Sequence, residues 1–228
     1  MSVVFSSLAT ISKLLRKTNL TPKERYVIVI ADLASKERDG KTILTKAKKD
    51  AIVNNWQPAT VDEAEEFNRY NQAWKLTITA ELEASNHYLE AKSKMQDLAL
   101  FLTSIKDGAL TPFAFLGEPY RSIKINEAEA RDKIADAIKG TGNQLADAYA
   151  TLLTYKKLFD DISDFYGVDL SYMIRRFIAQ TKLLIDAYNN PPFGKYGLWP
   201  IDINTIEPKA GAVDLYRENI FKLLKKPK

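Results

Sequence analysis

Hydrophobic positions along this chain recur at three- and four-residue spacing, and strict apolar/polar alternation is scarce. That periodicity belongs to helices with one buried face rather than to strands. The punctuation agrees. Thr21-Pro22-Lys23-Glu24 places a capping hydroxyl, a proline in the first helical position and a glutamate where a capping box needs them. The helix it opens should run to Arg38 or Asp39, with Gly40 as the left-handed residue beyond. Its middle, YVIVIADL, has the β-branching of a buried strand. The stretch from Pro22 to Asp39 is uninterrupted, however, and strands rarely exceed about ten residues. A helix apolar on most sides predicts the central one of its subdomain.

The same reading extends in both directions. Phe5, Leu8, Ser12 and Leu15 share one face of a first amphipathic helix, and Thr45 caps a short helix, KAKKDAIVNNW, before Pro58. Thr60-Val61-Asp62-Glu63 forms a second capping box, after which no Gly or Pro appears until Gly108. A single helix of about 46 residues would measure about 69 Å at ~1.5 Å per residue. That is long for a globular protein, so the pattern leaves open whether residues 60–106 form one helix or two, with a break near 85–93. After an irregular stretch, GALTPFAFLGEPYRSI, Asn126 with Glu127 and Glu129 opens a helix expected to end at Gly140-Thr141-Gly142. A further helix should span Asn143 to Tyr166, closed by Gly167, and Asp169 should cap another reaching Asn189. PPFGKYGLWPIDINTIEPKAG is a second irregular stretch, and a last helix runs from about Ala212 to Lys225. The expected class is all-α: a multi-helix bundle with one unusually long helix and two irregular Pro/Gly/aromatic loops.

On the long helix, EEFNRYNQAWK holds a dense mixture of polar and aromatic side chains. A helical wheel gathers Phe67, Trp74, Ile78 and Leu89 into a core stripe, with Tyr70 and Leu82 at its edges. Asn71 falls inside that apolar sector. It should tie a neighbouring element by hydrogen bonds or face a ligand cavity, because an unpaired buried amide costs about 1–3 kcal/mol.

Composition adds exclusions. The chain has 228 residues, 46% hydrophobic and 27% charged, which is ordinary globular composition. It has no Cys and one His. Disulfides, thiolate metal sites and cysteine nucleophiles are thereby excluded, and a paired Glu-x-x-His di-iron site lacks its second histidine. The candidate ligand clusters are Glu83, His87 and Glu90, the group Asp160, Asp161 and Asp164, and Glu63 with Glu65 and Glu66. Acids in a first helical turn are dipole partners by default, and the expectation is no metal and no cofactor. There is no nucleophile-elbow or phosphate-loop motif, so the reading leans away from an enzyme. No apolar run approaches the length of a membrane span. A cytoplasmic protein is expected; the alternative is organellar, with the acid-free start up to Glu24 as a transit peptide.

Charge divides the chain. Residues 1–57 carry 11 basic and 5 acidic side chains, whereas residues 58–170 carry 12 and 19. This suggests a basic three-helix region over 1–57, and a helical bundle over 58–228 possibly continuous with it. The leading functional expectation is a non-enzymatic binding protein acting through protein–protein contacts or self-association, because a very long helix needs a partner surface. The alternative is nucleic-acid binding through a helix-turn-helix-like N-terminal region, its third helix offering Lys46, Lys48, Lys49, Asn54 and Asn55. For a ligand pocket, the candidates are Asn71 and Trp74 with the loop aromatics Phe115, Tyr120, Tyr196 and Trp199.

Overall fold

A computed structural model describes residues 8–106, 127–190 and 199–225. It is all-α. Helices α1 (Leu8–Leu14), α2 (Pro22–Asp39), α3 (Lys46–Lys49), α4 (Val61–Lys106), α5 (Glu127–Tyr166), α6 (Tyr172–Asn189) and α7 (Asp214–Leu224) follow one another, with a π turn at Asp50–Asn54 and a 3₁₀ turn at Ile203–Thr205. The described residues contain no strand, and none of their helices is long and apolar enough to cross a membrane.

The capping signals work as chemistry requires. Thr21 Oγ1 accepts from Glu24 N at 3.2 Å and the Glu24 carboxylate accepts from Thr21 N at 3.1 Å, closing the box that starts α2. Gly40 ends α2 at φ 68°, donating its N–H to Lys36 O. The second box is looser: Thr60 Oγ1 accepts from Glu63 N, but the Glu63 side chain reaches back to Ala59 N.

The long helix is unbroken from Val61 to Lys106, so the break considered near 85–93 is absent. Its buried side is not the stripe expected from hydrophobicity. Tyr70, Ala73, Thr77, Ala80 and Ala84 are buried, followed at the same spacing by Ala91, Met95 and Leu98. Phe67, Trp74 and Ile78 are half-buried, while Leu82 and Leu89 are 62% and 50% exposed. The seam is chosen by size. Large side chains of α5, among them Tyr155, Phe159, Ile162 and Tyr166, are fully or nearly fully buried. A helix packed that closely needs small residues on its partner face.

The second correction concerns α5. Gly140-Thr141-Gly142 does not end a helix; α5 continues through it for 40 residues. Gly142 is there for contact. A Cβ on it would lie 2.5 Å from Tyr188 Oη and 2.8 Å from Tyr188 Cζ, so only glycine lets this α6 ring lie against α5. Tyr188 Oη donates to Ile138 O at 3.0 Å, inside the core of Ala91, Met95, Leu98, Leu145, Ala148 and Ile185. The start of α6 also differs. It begins at Tyr172, and Asp169 stands outside it, accepting from Ser171 N and from Arg175.

Two compact units emerge. The first comprises residues 1–84, 154–176 and 210–228; the second comprises 85–153 and 177–209. In the first, α2 lies parallel to α4, Tyr26 meeting Phe67 and Tyr70 while Glu37 neighbours Glu81. Here α5 runs antiparallel to α4, with Tyr166 against Tyr70 and Tyr155 against Glu83. In the second, Asn189 bonds Ile201 in both directions, at 2.8 and 2.9 Å, fastening the chain after α6.

Candidate functional site

The N-terminal region is a small unit around Ile28, Val29, Leu44 and Ile52, with Leu14, Leu15, Leu20 and Val53 packed against it. Its buried carboxylate, Asp32, organises the turn between α2 and α3. Asp32 Oδ1 accepts from Ile43 N at 2.6 Å and from Leu44 N at 2.8 Å. Arg25 has a comparable role opposite: Nη1 donates to Ile52 O at 3.0 Å, and its guanidinium lies 4.2 Å from the Trp56 ring centroid.

Four of the five acids of this region are engaged within it. Glu24 pairs with Lys17, which holds its carboxyl below the usual range. Asp39 pairs with Arg38, Asp50 accepts from Asn54 Nδ2 at 2.7 Å, and Asp32 is buried. Glu37 is half-buried beside Glu81; desolvation raises both carboxyls, Glu81 to about 7 with the Glu37 charge adding to the effect. By contrast Lys13, Arg16, Lys36, Lys46 and Lys48 are exposed and form no ion pair with any described residue.

Of the residues picked as a nucleic-acid reader, Lys46, Lys48, Asn54 and Asn55 are exposed. Lys49 is half-buried, its Nζ 4.0 Å from Asp32 Oδ2. The element carrying them is one α-helical turn followed by a π turn, shorter than the helix expected over 45–55. Asn54 already gives its amide to Asp50.

Behind these helices lies an aromatic ladder the sequence pattern did not reveal. Trp56 meets Phe67 at 5.1 Å between centroids, Phe67 meets Tyr26 at 5.4 Å, and Tyr26 stacks on Tyr70 at 6.1 Å. Tyr70 in turn contacts Phe165 and Tyr166 at 6.3 and 6.4 Å. Lys23 Nζ sits 4.2 Å over the Phe165 ring. Tyr26 and Tyr166 are 2% and 4% exposed, and neither hydroxyl finds a hydrogen-bond partner among the described residues. Burial pushes the Tyr26 phenol up to about 12 and the Tyr166 phenol higher still, with the charges that Tyr70 and Tyr26 would carry opposing ionisation of Tyr166. The signal was present as Tyr26, Trp56, Phe67, Tyr70, Phe165 and Tyr166, but only folding brings four separate segments together.

Three of the six pocket candidates fall among the described residues. Asn71 and Trp74 are half-buried on α4. Trp199 is 37% exposed, with Lys139 Nζ 5.5 Å from its ring centroid. Phe115, Tyr120 and Tyr196 lie outside the described residues. Several of the clustered carboxylates are tied into the fold. Asp160 takes Lys156 Nζ and Ser171 Oγ, each at 2.6 Å, and Asp161 takes Arg217. Glu83 takes the Tyr155 hydroxyl at 3.0 Å and a bond from Tyr216, whose phenol rises to about 12, mainly through burial. No group of three or more metal-ligating side chains occurs among the described residues. Compared with protein-family models, with curated proteins and with solved structures, the chain finds no match.

Proposed function

We propose that this protein acts by binding rather than by catalysis, and that nucleic acid is the partner of its N-terminal helices. One observation carries the reading. Four of the five acids of residues 1–57 are paired, hydrogen-bonded or buried within the region, and the fifth, Glu37, is half-buried beside Glu81, yet Lys13, Arg16, Lys36, Lys46 and Lys48 stay exposed and unpaired with any described residue. A basic excess left uncompensated within the fold favours an anionic polymer outside it. The short α3 and the Asn54–Asp50 bond argue for phosphate contacts, which are tolerant of sequence, over base reading.

The test is a titration against labelled duplex and single-stranded DNA at two salt concentrations. About four phosphate contacts imply a roughly hundredfold loss of affinity between 50 and 200 mM salt. K46E/K48E and K13E/R16E, each checked for retained helicity, should weaken binding. No binding at low salt, or affinity untouched by both variants, rejects the proposal.

A second reading, self-association, rests on a different observation. In the second unit Leu89, Leu100 and Leu183 are 50%, 69% and 67% exposed. The partner surface that the length of α4 seemed to demand is supplied within the chain by α5, so these leucines now carry that reading. Light scattering giving the 25.8 kDa mass of one protomer throughout the micromolar range would reject it.

A further inference from the structure

We propose that the second unit holds a binding cleft between α4 and α5 for a small zwitterion of the aliphatic amino acid class. The cleft has a volume of about 460 Å³, within the range of small-molecule sites, and its described lining includes Lys94 and Asp97 of α4 with Ala137, Gly140 and Gln144 of α5. Gly140 is the first reason to expect an occupant. A glycine in a helix interior is destabilising relative to alanine, and it persists where something must approach the backbone closely. Gly142 is accounted for by the Tyr188 ring against it, whereas a Cβ on Gly140 meets nothing within 4 Å. The bare backbone at Gly140 therefore makes room for no described residue, yet it forms part of the cleft wall, where it lets an outside molecule lie against α5. Charge supplies the class of that molecule. Lys94 and Asp97 are exposed, one turn apart on α4, and neither forms an ion pair with any described residue. A cation and an anion side by side suit a ligand that brings a carboxylate to Lys94 and an ammonium to Asp97. A ligand with one charge would satisfy one of them and face a like charge on the other. Gln144 adds an amide that both donates and accepts, and Ala137 with the Gly140 backbone offers an apolar rest for an aliphatic side chain.

The experiment titrates the isotopically labelled full chain with three probes up to millimolar concentration and follows the backbone amides by NMR. The probes are free leucine, isocaproate, which lacks the ammonium, and isopentylamine, which lacks the carboxylate. Leucine should shift the amides around Lys94 and Gly140, and each single-charge analogue should bind at least about tenfold more weakly, because one charged partner is lost. Gly140→Leu fills the cleft with a good helix former at an open position, so it should abolish binding without lowering the urea midpoint. Lys94→Gln should weaken leucine by about tenfold and leave isopentylamine unchanged. Absence of amide shifts with leucine, equal affinity for the three probes, or binding that survives Gly140→Leu overturns the proposal.

Discussion

Two glycines, two residues apart on α5, should respond in opposite directions to the same substitution. At Gly140 an added Cβ meets nothing within 4 Å. Alanine there should stabilise by about 0.5–1 kcal/mol, the ordinary helix-interior gain over glycine. At Gly142 the same gain is available, but the Cβ would stand 2.5 Å from Tyr188 Oη and 2.8 Å from Cζ. The ring would have to retreat by about 1 Å to reach a normal carbon contact. It cannot do so freely, because Tyr188 is 3% exposed and locked among Ile138, Leu145 and Ile185. Overpacking costs about 1–3 kcal/mol, and weakening the Tyr188–Ile138 bond adds about 0.5–1.5 kcal/mol. Gly142→Ala should therefore lose a net of about 1–3 kcal/mol after the helix gain is subtracted. Urea denaturation followed by far-ultraviolet circular dichroism measures both variants. Adding Tyr188→Leu to Gly142→Ala should recover part of the loss, since the clashing atoms are gone. Shifts of the same sign for Gly140→Ala and Gly142→Ala would refute the close approach of Tyr188 to α5.

Three further outcomes follow from the geometry. Asp32→Ala leaves Ile43 N and Leu44 N without their acceptor; at about 1–3 kcal/mol per buried donor it should lose at least about 2 kcal/mol in denaturation midpoint analysis, with Asp32→Asn milder because Oδ1 remains. Glu81, raised to about 7, binds a proton in the folded state that it releases when unfolded near its ordinary 4.5. Stability should thus fall as pH rises from about 4.5 through 7, by about 1–2 kcal/mol after allowing for solvent at a half-buried site; Glu81→Gln should flatten that slope in a pH series of melts, and an unchanged slope would contradict the assignment. On α4, Ala84→Leu should cost at least about 1–3 kcal/mol by overpacking, whereas Leu82→Ala, at a position 62% exposed, should stay within about 0.5 kcal/mol; the reverse order would mean the seam has been misplaced.

Helices were legible from the sequence because their signals are local. The Thr21–Glu24 box, Gly40, the gap without Gly or Pro after Thr60 and the closing Gly167 each act within a turn or two of themselves. The basic excess of the first 57 residues was equally plain, being a count of side chains. What remained hidden was relational. Hydrophobicity selected Leu82 and Leu89 as core, but the fold buries Ala73, Ala80, Ala84 and Ala91 and leaves both leucines exposed. Gly142 read as a helix stop because nothing nearby in sequence shows that a Tyr188 ring, 46 positions on, needs its missing side chain.

The same division holds at the candidate site. Sequence alone established an all-α chain without cysteine chemistry and with a cationic N-terminal region, since composition and short-range periodicity suffice for both. Tertiary structure decided which charges are left over. It paired Lys17 with Glu24 and Arg38 with Asp39, buried Asp32 and drew Lys49 towards it, while leaving Lys46 and Lys48 in solvent. It also assembled Tyr26, Tyr70 and Tyr166 from three helices into one interior cluster. Coulomb pairing and burial depend on distance in space, and distances between segments far apart in the chain exist only once it has folded.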